Sequence, residues 1–227
     1  MQPHRQERFL SCLFPFYRSG DFMKILSVSR QRRRLYRLEC EEIGTIEVDV
    51  TTFDESGYRE GSDLTEEQLH SLLAISQRNR ARERALYLLG LRDYSCHELE
   101  QKLHTEATPE IAAAVVERLR EVGLLDDERY AARLARSLSE GKHYPRRRIE
   151  QELRRRGISS VLIQAVVFDL EGEDFEQALA LLQKKYYNKL NDPDSRRRVI
   201  AALARRGFSY GAIRRAMDEM GAPDDEE

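Results

Sequence analysis

Tryptophan is absent from this chain, and aromatic residues make up only 8% of it. That scarcity disfavours a large β-sandwich and suits helices with narrow apolar seams. Cysteine is scarce as well. Cys12, Cys40 and Cys96 are odd in number, far apart and form no C-x-x-C, which excludes a disulfide framework and fits a reducing cytosol. The five histidines, His4, His70, His97, His104 and His143, do not cluster with cysteines at ligand spacing, so no metal is expected. The apolar patch Phe9–Tyr17 is broken by Pro15 and is too short to span a bilayer. No P-loop, G-x-G-x-x-G, G-x-S-x-G or H-E-x-x-H occurs, so no enzyme class announces itself.

Net charge is nearly absent too, at −2 from 38 basic and 40 acidic residues. A uniformly basic, histone-like binder is thereby excluded. What is present is segregation. Lys142–Arg156 holds seven basic and two acidic residues, Asp194–Arg215 seven and one, and Asp218–Glu227 six acidic and no basic ones. Such separation points to a local surface for a polyanion or an acidic protein.

The segment Tyr144–Gly157, Y-P-R-R-R-I-E-Q-E-L-R-R-R-G, reads as one short helix. Pro145 suits its first turn and Gly157 stops it. With Ile149 at zero on a helical wheel, Leu153 falls at about 40°, while Arg147, Arg154, Arg148 and Arg155 fall between about 140° and 260°. Taken alone, this is a solvated helix face with local ion pairs to Glu150 and Glu152. The pattern recurs fifty residues on, however. Arg146–Arg148 match Arg196–Arg198, Ile149 and Leu153 match Val199 and Leu203, and Gly157 matches Gly207. A third, weaker copy is read at Leu89, Arg92, Asp93, Tyr94, Ser95 and Leu99. Shared core positions need only a shared fold, whereas recurring basic residues outside the core need another reason.

Along the chain, residues 1–20 are expected to be a flexible leader. Residues 21–64 form a small β-containing region of about three antiparallel strands, with a short helix within 51–64. Arg30–Arg34 would be its basic hairpin tip. Residues 65–79 form a connecting helix that opens on a Thr65/Gln68 capping box. Three units of three short helices follow at 80–124, 125–171 and 172–220, ahead of an acidic tail at 221–227. In them Ser95, Asp126 and Ser159 are N-caps, and Asp174–Leu190 is one long helix. A period near 47 residues fits a curved helical array, mainly α, with one basic helix per unit.

These residues resemble the RecX family, regulators of the RecA recombinase. The likeness is carried by Ala85–Leu89 with Arg92–Leu99, by Gly123–Asp127 with Tyr130 and Ala131, and by Gly141–Ile149 with Glu152, Leu153, Gly157 and Ile158. The family often has glycine where Pro145 stands. The resemblance implies a non-catalytic, cytoplasmic helical protein that binds the RecA–DNA filament and limits its growth, ATPase and strand exchange. It thus implies roles in DNA repair, homologous recombination and the SOS response. A monomer is expected, with no cofactor and no membrane contact, and with single- or double-stranded DNA bound weakly or through the filament. The candidate contacts are Lys142, Tyr144, Arg146, Arg147, Arg148, Arg154, Arg155, Arg197, Arg198 and Arg205. The alternative is a stand-alone DNA-binding protein built from short basic helices.

Overall fold

The structure, a computed structural model, describes residues 22–31, 34–41, 43–168, 170 and 173–222. The leader, most of the acidic tail and the tip at Arg32 and Arg33 lie outside them. The chain divides into two compact units, Met1–Leu91 with Lys102–Arg118, and Arg92–Gln101 with Leu119–Glu227. It is mainly helical, with one small antiparallel sheet.

The first unit opens with β1 (Met23–Gln31), β2 (Leu35–Cys40) and β3 (Gly44–Asp49), then α1 (Val50–Ser56), β4 (Asp63–Leu64) and α2 (Glu66–Leu91). The sheet order is β3-β2-β1-β4. Sequence alternation gives three strands. The fourth has two residues and pairs Met23 with Leu64, too short for any periodicity to register. A bulge between Ile25 and Ser27 resets the register in β1, which breaks the alternation there. Met23, Ile25, Leu38, Ile46 and Val48 from the sheet pack with Phe53, Leu69 and Leu72 from α1 and α2. Asp49 caps α1 by accepting from the Thr52 amide at 3.1 Å. The Thr65/Gln68 box forms as expected, at 2.9 and 3.3 Å.

No break separates residues 79 and 80. One helix of 26 residues runs through, burying Leu69, Leu72, Ala81, Ala85 and Leu88. The stretch Arg78–Arg84 holds no glycine or proline, so nothing in it stops a helix. Arg80 also pairs with Glu106 at 2.7 Å.

The remaining helices are α3 (Cys96–Leu103), α4 (Pro109–Glu121), α5 (Asp127–Arg136), α6 (Arg146–Arg155), α7 (Ser160–Phe168), α8 (Glu173–Leu181), α9 (Pro193–Arg206) and α10 (Tyr210–Glu219). In the second unit, Tyr130, Ala131, Ala135 and Leu138 pack with Ile149, Leu153, Ile158, Ile163 and Val167. A second cluster joins Ala178, Leu181 and Leu182 to Val199, Leu203, Phe208, Ile213 and Met217. Both first helices end irregularly: α5 widens into a π-turn at Ser137–Gly141, and α8 does so at Leu182–Tyr186 before a 3-10 turn at Tyr187–Lys189. The single long helix read for Asp174–Leu190 is therefore three pieces.

Candidate functional site

The basic helix α6 buries Ile149 and Leu153 and turns its arginines outward. Pro145 is its N-cap in extended geometry (ψ 157°), one position before the first turn where the sequence reading put it. Lys142, Arg147, Arg154 and Arg155 are exposed, and Tyr144, Arg146 and Arg148 are half-buried. The Arg148 guanidinium lies 4.2 Å from the centre of the Tyr144 ring, and Lys142 Nζ lies 5.7 Å from it. Both cations thus lie against the one aromatic ring. Two carboxylates neutralise part of the helix. Glu150 takes Arg146 and Arg154, each at 3.4 Å, and Glu152 takes Arg155 at 2.8 Å and Arg156 at 2.9 Å.

Helix α9 repeats the plan. It buries Val199 and Leu203, leaves Arg197, Arg198 and Arg205 exposed, and begins a turn earlier, with Asp192 as its N-cap and Pro193 in its first turn. A Cβ built on Gly207, which follows α9, would lie 3.6 Å from Pro145 Cγ and 3.8 Å from Arg148 Cβ. The end of α9, with Arg205, is thereby brought beside the first turn of α6. Among the described residues, Arg147, Arg148, Arg198 and Arg205 form no ion pair. Of the ten sequence candidates, Arg146, Arg154 and Arg155 are held by glutamates of their own helix, whereas Arg147, Arg148, Arg198 and Arg205 are not.

The third basic copy is a misreading. Tyr94, the Ser95 cap, Leu99 and Leu103 lead into and run along α3 as Tyr144, the Pro145 cap, Ile149 and Leu153 do for α6. The sequence alignment instead set Leu89 against Leu153, one helix out of step. In the corrected register Cys96, His97 and Glu98 stand where α6 has Arg146, Arg147 and Arg148. One basic helix per unit is therefore wrong for α3.

Sequence reasoning also missed how successive helices are joined. Asp127, in the first turn of α5, accepts from the Cys96 amide at the start of α3 at 2.8 Å. Asp174, in the first turn of α8, accepts from the Arg146 amide at the start of α6 at 2.7 Å. Each carboxylate caps the second helix of the preceding three-helix repeat, where orphan amides and the helix dipole favour an anion. Helix α9 has no such donor to offer at Pro193, and it is capped by its own Asp192, which accepts from the Ser195 amide at 2.8 Å. The only sequence trace of these clasps is an acid in the first turn of α5 and α8, which reads equally well as a local dipole effect.

Around α3 lies a further ionic network. Glu98 accepts from the Tyr130 hydroxyl at 2.9 Å and meets Arg92 at 3.4 Å, with Arg156 Nε at 3.9 Å. Burial pushes the Glu98 carboxyl up, but the Tyr130 hydroxyl and the Arg92 guanidinium outweigh it and hold the pKa below the usual glutamate range. Ser95 Oγ donates to the Arg156 carbonyl at 2.5 Å. Among the described residues, no cluster of His, Cys, Asp or Glu could hold a metal ion, and no helix is long and apolar enough to cross a membrane.

Three RecX family models match the chain in tandem: the first three-helix domain at residues 81–119, the second at 126–167 and the third at 171–217. Regulatory protein RecX of Trichlorobacter lovleyi is 36% identical over 141 residues, covering 60% of this chain and 92% of that protein. The Streptococcus sanguinis protein of the same name is 25% identical over 207 residues, covering 90% of this chain and 80% of its own. A crystal structure of regulatory protein RecX superposes with a TM-score of 0.59 at 22% identity, over 86% of this chain and 99% of that one. RecX from Lactobacillus salivarius gives 0.57 at 19% identity, over 64% and 97%. At those identities the structures show a shared fold.

Proposed function

From the premise that the chain belongs to the RecX family, a family of regulatory proteins, we propose that it binds the RecA–DNA filament and restrains its growth, ATP hydrolysis and strand exchange. In this reading it is a cytoplasmic, non-catalytic monomer without a cofactor, acting in recombinational DNA repair and the SOS response. The contact surface comprises Lys142, Tyr144, Arg146, Arg147, Arg148, Arg154, Arg155, Arg197, Arg198 and Arg205. One observation carries it: arginines recur at a fifty-residue offset on α6 and α9 outside the core, and Arg147, Arg148, Arg198 and Arg205 form no ion pair among the described residues. A guanidinium pairs bidentately with either carboxylate or phosphate, and a nucleoprotein filament offers both.

The test is ATP hydrolysis by the cognate recombinase on single-stranded DNA, with and without this protein. Slower hydrolysis that deepens with protein concentration is the expected result. Unchanged hydrolysis, together with tight and steeply salt-dependent binding to bare DNA, would identify a stand-alone DNA-binding protein instead.

A further inference from the structure

Helix α7 contains no charged residue: its sequence is S-V-L-I-Q-A-V-V-F, in a chain that is 34% charged. Its inner side is accounted for by Ile163 and Val167, which are buried in the core. Its outer side is not. Val161, Gln164, Ala165 and Phe168 fall at i, i+3, i+4 and i+7, all exposed, with Val161 at 77% and Phe168 at 67%. One face of the helix is thus uncharged, apolar but for Gln164, and turned to water.

The internal repeats supply the control. The third helices α4, α7 and α10 bury corresponding positions: Ala112 aligns with Ile163 and Ala212–Ile213, and Val116 with Val167 and Met217. The positions facing solvent can therefore be compared directly. In α4 they are Glu110, Ala113, Ala114 and Glu117, and in α10 they are Gly211, Arg214, Arg215 and Asp218. The fold is satisfied by charged residues at these places twice. Valine and phenylalanine there in α7 serve something other than folding.

Resting on the functional reading above, we propose that this face of α7 is where the regulator touches recombinase protein rather than DNA. The occupant is an apolar depression bordered by carboxylates. Two features set that chemistry. A helix with no cation has nothing to offer a phosphate, while Val161 and Phe168 gain by leaving water. The exposed Arg154 and Arg155 precede Val161 across the Gly157 turn, and each gives only one guanidinium nitrogen to Glu150 or Glu152, which leaves donors for an acidic rim. A second copy of this chain is a poor occupant. The apolar face offers on the order of 300 Å², against roughly 800 Å² per partner in a stable interface.

The experiment compares the full chain with the double variant Val161→Ser, Phe168→Ser and with the single variant Phe168→Glu, each checked by circular dichroism. Both substituted side chains are mostly in water, so the fold is expected to persist. The concentration needed to halve recombinase ATPase should rise roughly tenfold, a change typical of losing a buried aromatic anchor. Affinity for a bare oligodeoxythymidylate should stay the same. Folded variants that restrain the ATPase like the parent overturn the assignment. A parallel loss of oligonucleotide binding also overturns it, because the face would then be a DNA contact. A parent that sediments as a dimer while the variants are monomers makes a second copy the occupant and likewise overturns it. A parent without effect on the ATPase defeats the functional reading itself, and this inference with it.

Discussion

Two joints within the second unit are built on one plan and use charge to different extents. At the joint of α3 with the helices after it, Asp127 clasps the Cys96 amide, and the Gly157 turn presses against His97. At the joint of α6 with the helices after it, Asp174 clasps the Arg146 amide, and the Gly207 turn approaches Pro145 and Arg148. The first joint ties its ionic groups to one another, Glu98 to Tyr130, Arg92 and Arg156, and Asp93 to Arg133 in an exposed pair at 2.9 Å. The second adds a chain of polar side chains. His143 Nδ1 lies 2.7 Å from Gln177 Oε1, and Gln177 Nε2 donates to Ser139 Oγ at 3.0 Å. An amide oxygen only accepts, so that bond puts the histidine proton on Nδ1. The difference is one of degree: the first joint pairs its charges with one another, whereas the second leaves Arg147, Arg148, Arg198 and Arg205 without an ion pair among the described residues.

The sharpest way to break the comparison is through the glycines. Gly157 has φ +74°, and a Cβ there would collide with the His97 side chain close to its backbone. Gly207 has φ +99° but ordinary van der Waals room, with its nearest atom at 3.6 Å. Gly157→Ala therefore adds overpacking to backbone strain and should cost about 3 kcal/mol. Gly207→Ala should cost about 1 to 2 kcal/mol from strain alone. Urea unfolding of both variants checks this, and equal midpoints would mean that the two joints are equally tight.

Next in size is the effect of the arginines themselves. Reversing Arg147 and Arg198, which form no ion pair, should raise the half-inhibiting concentration in the recombinase ATPase assay about tenfold or more. Reversing Arg154 and Arg155, which Glu150 and Glu152 already engage, should raise it only a few-fold. Helix content should not change in either case, since all four side chains are exposed. Equal losses from the two pairs would show that local ion pairing does not set which cations are used.

Much of this was legible in the residues alone. Apolar spacing placed the buried stripes of α6 and α9, and the caps at Thr65, Ser95, Asp126 and Ser159 follow from short-range chemistry that a sequence displays. What was hidden depends on partners far along the chain. Asp127 and Asp174 reach amides 31 and 28 residues away, and a first-turn acid looks the same whichever helix it caps. The misregistered third copy arose because Leu89 and Leu99 reproduce the ten-residue spacing of Leu153 and Ile163. Two apolar anchors and a serine recur at that spacing in any chain of short helices. The helical spacing of Leu162, Ile163, Val166 and Val167 marks the inner side of α7, but it does not say how far Val161 and Phe168 stand in water.

The smallest predicted effect concerns acid, and it follows from the sign of one titration at the first joint. Glu98 has a folded pKa below the usual glutamate range, because hydrogen bonds from Tyr130 and Arg92 outweigh its burial. A depressed carboxyl pKa contributes stability that is present above the unfolded pKa and lost as pH falls through the folded one. The first joint should therefore weaken below about pH 4.5. Glu98→Gln should remove that dependence and lower stability at neutral pH by about 1 kcal/mol, because it leaves Arg156 with less compensation. Glu152 on α6 is held below the usual glutamate range as well, because hydrogen bonds from Arg156 and Arg155 outweigh its burial, so acid weakens both helices in the same direction and the Glu98→Gln variant isolates the share of the first joint. Hydrogen exchange at α3 and α6 in the parent and in this variant, followed from pH 6 down to pH 3, measures that share. A variant whose α3 amides lose protection with acid as steeply as the parent's would show that Glu98 does not set the pH dependence there.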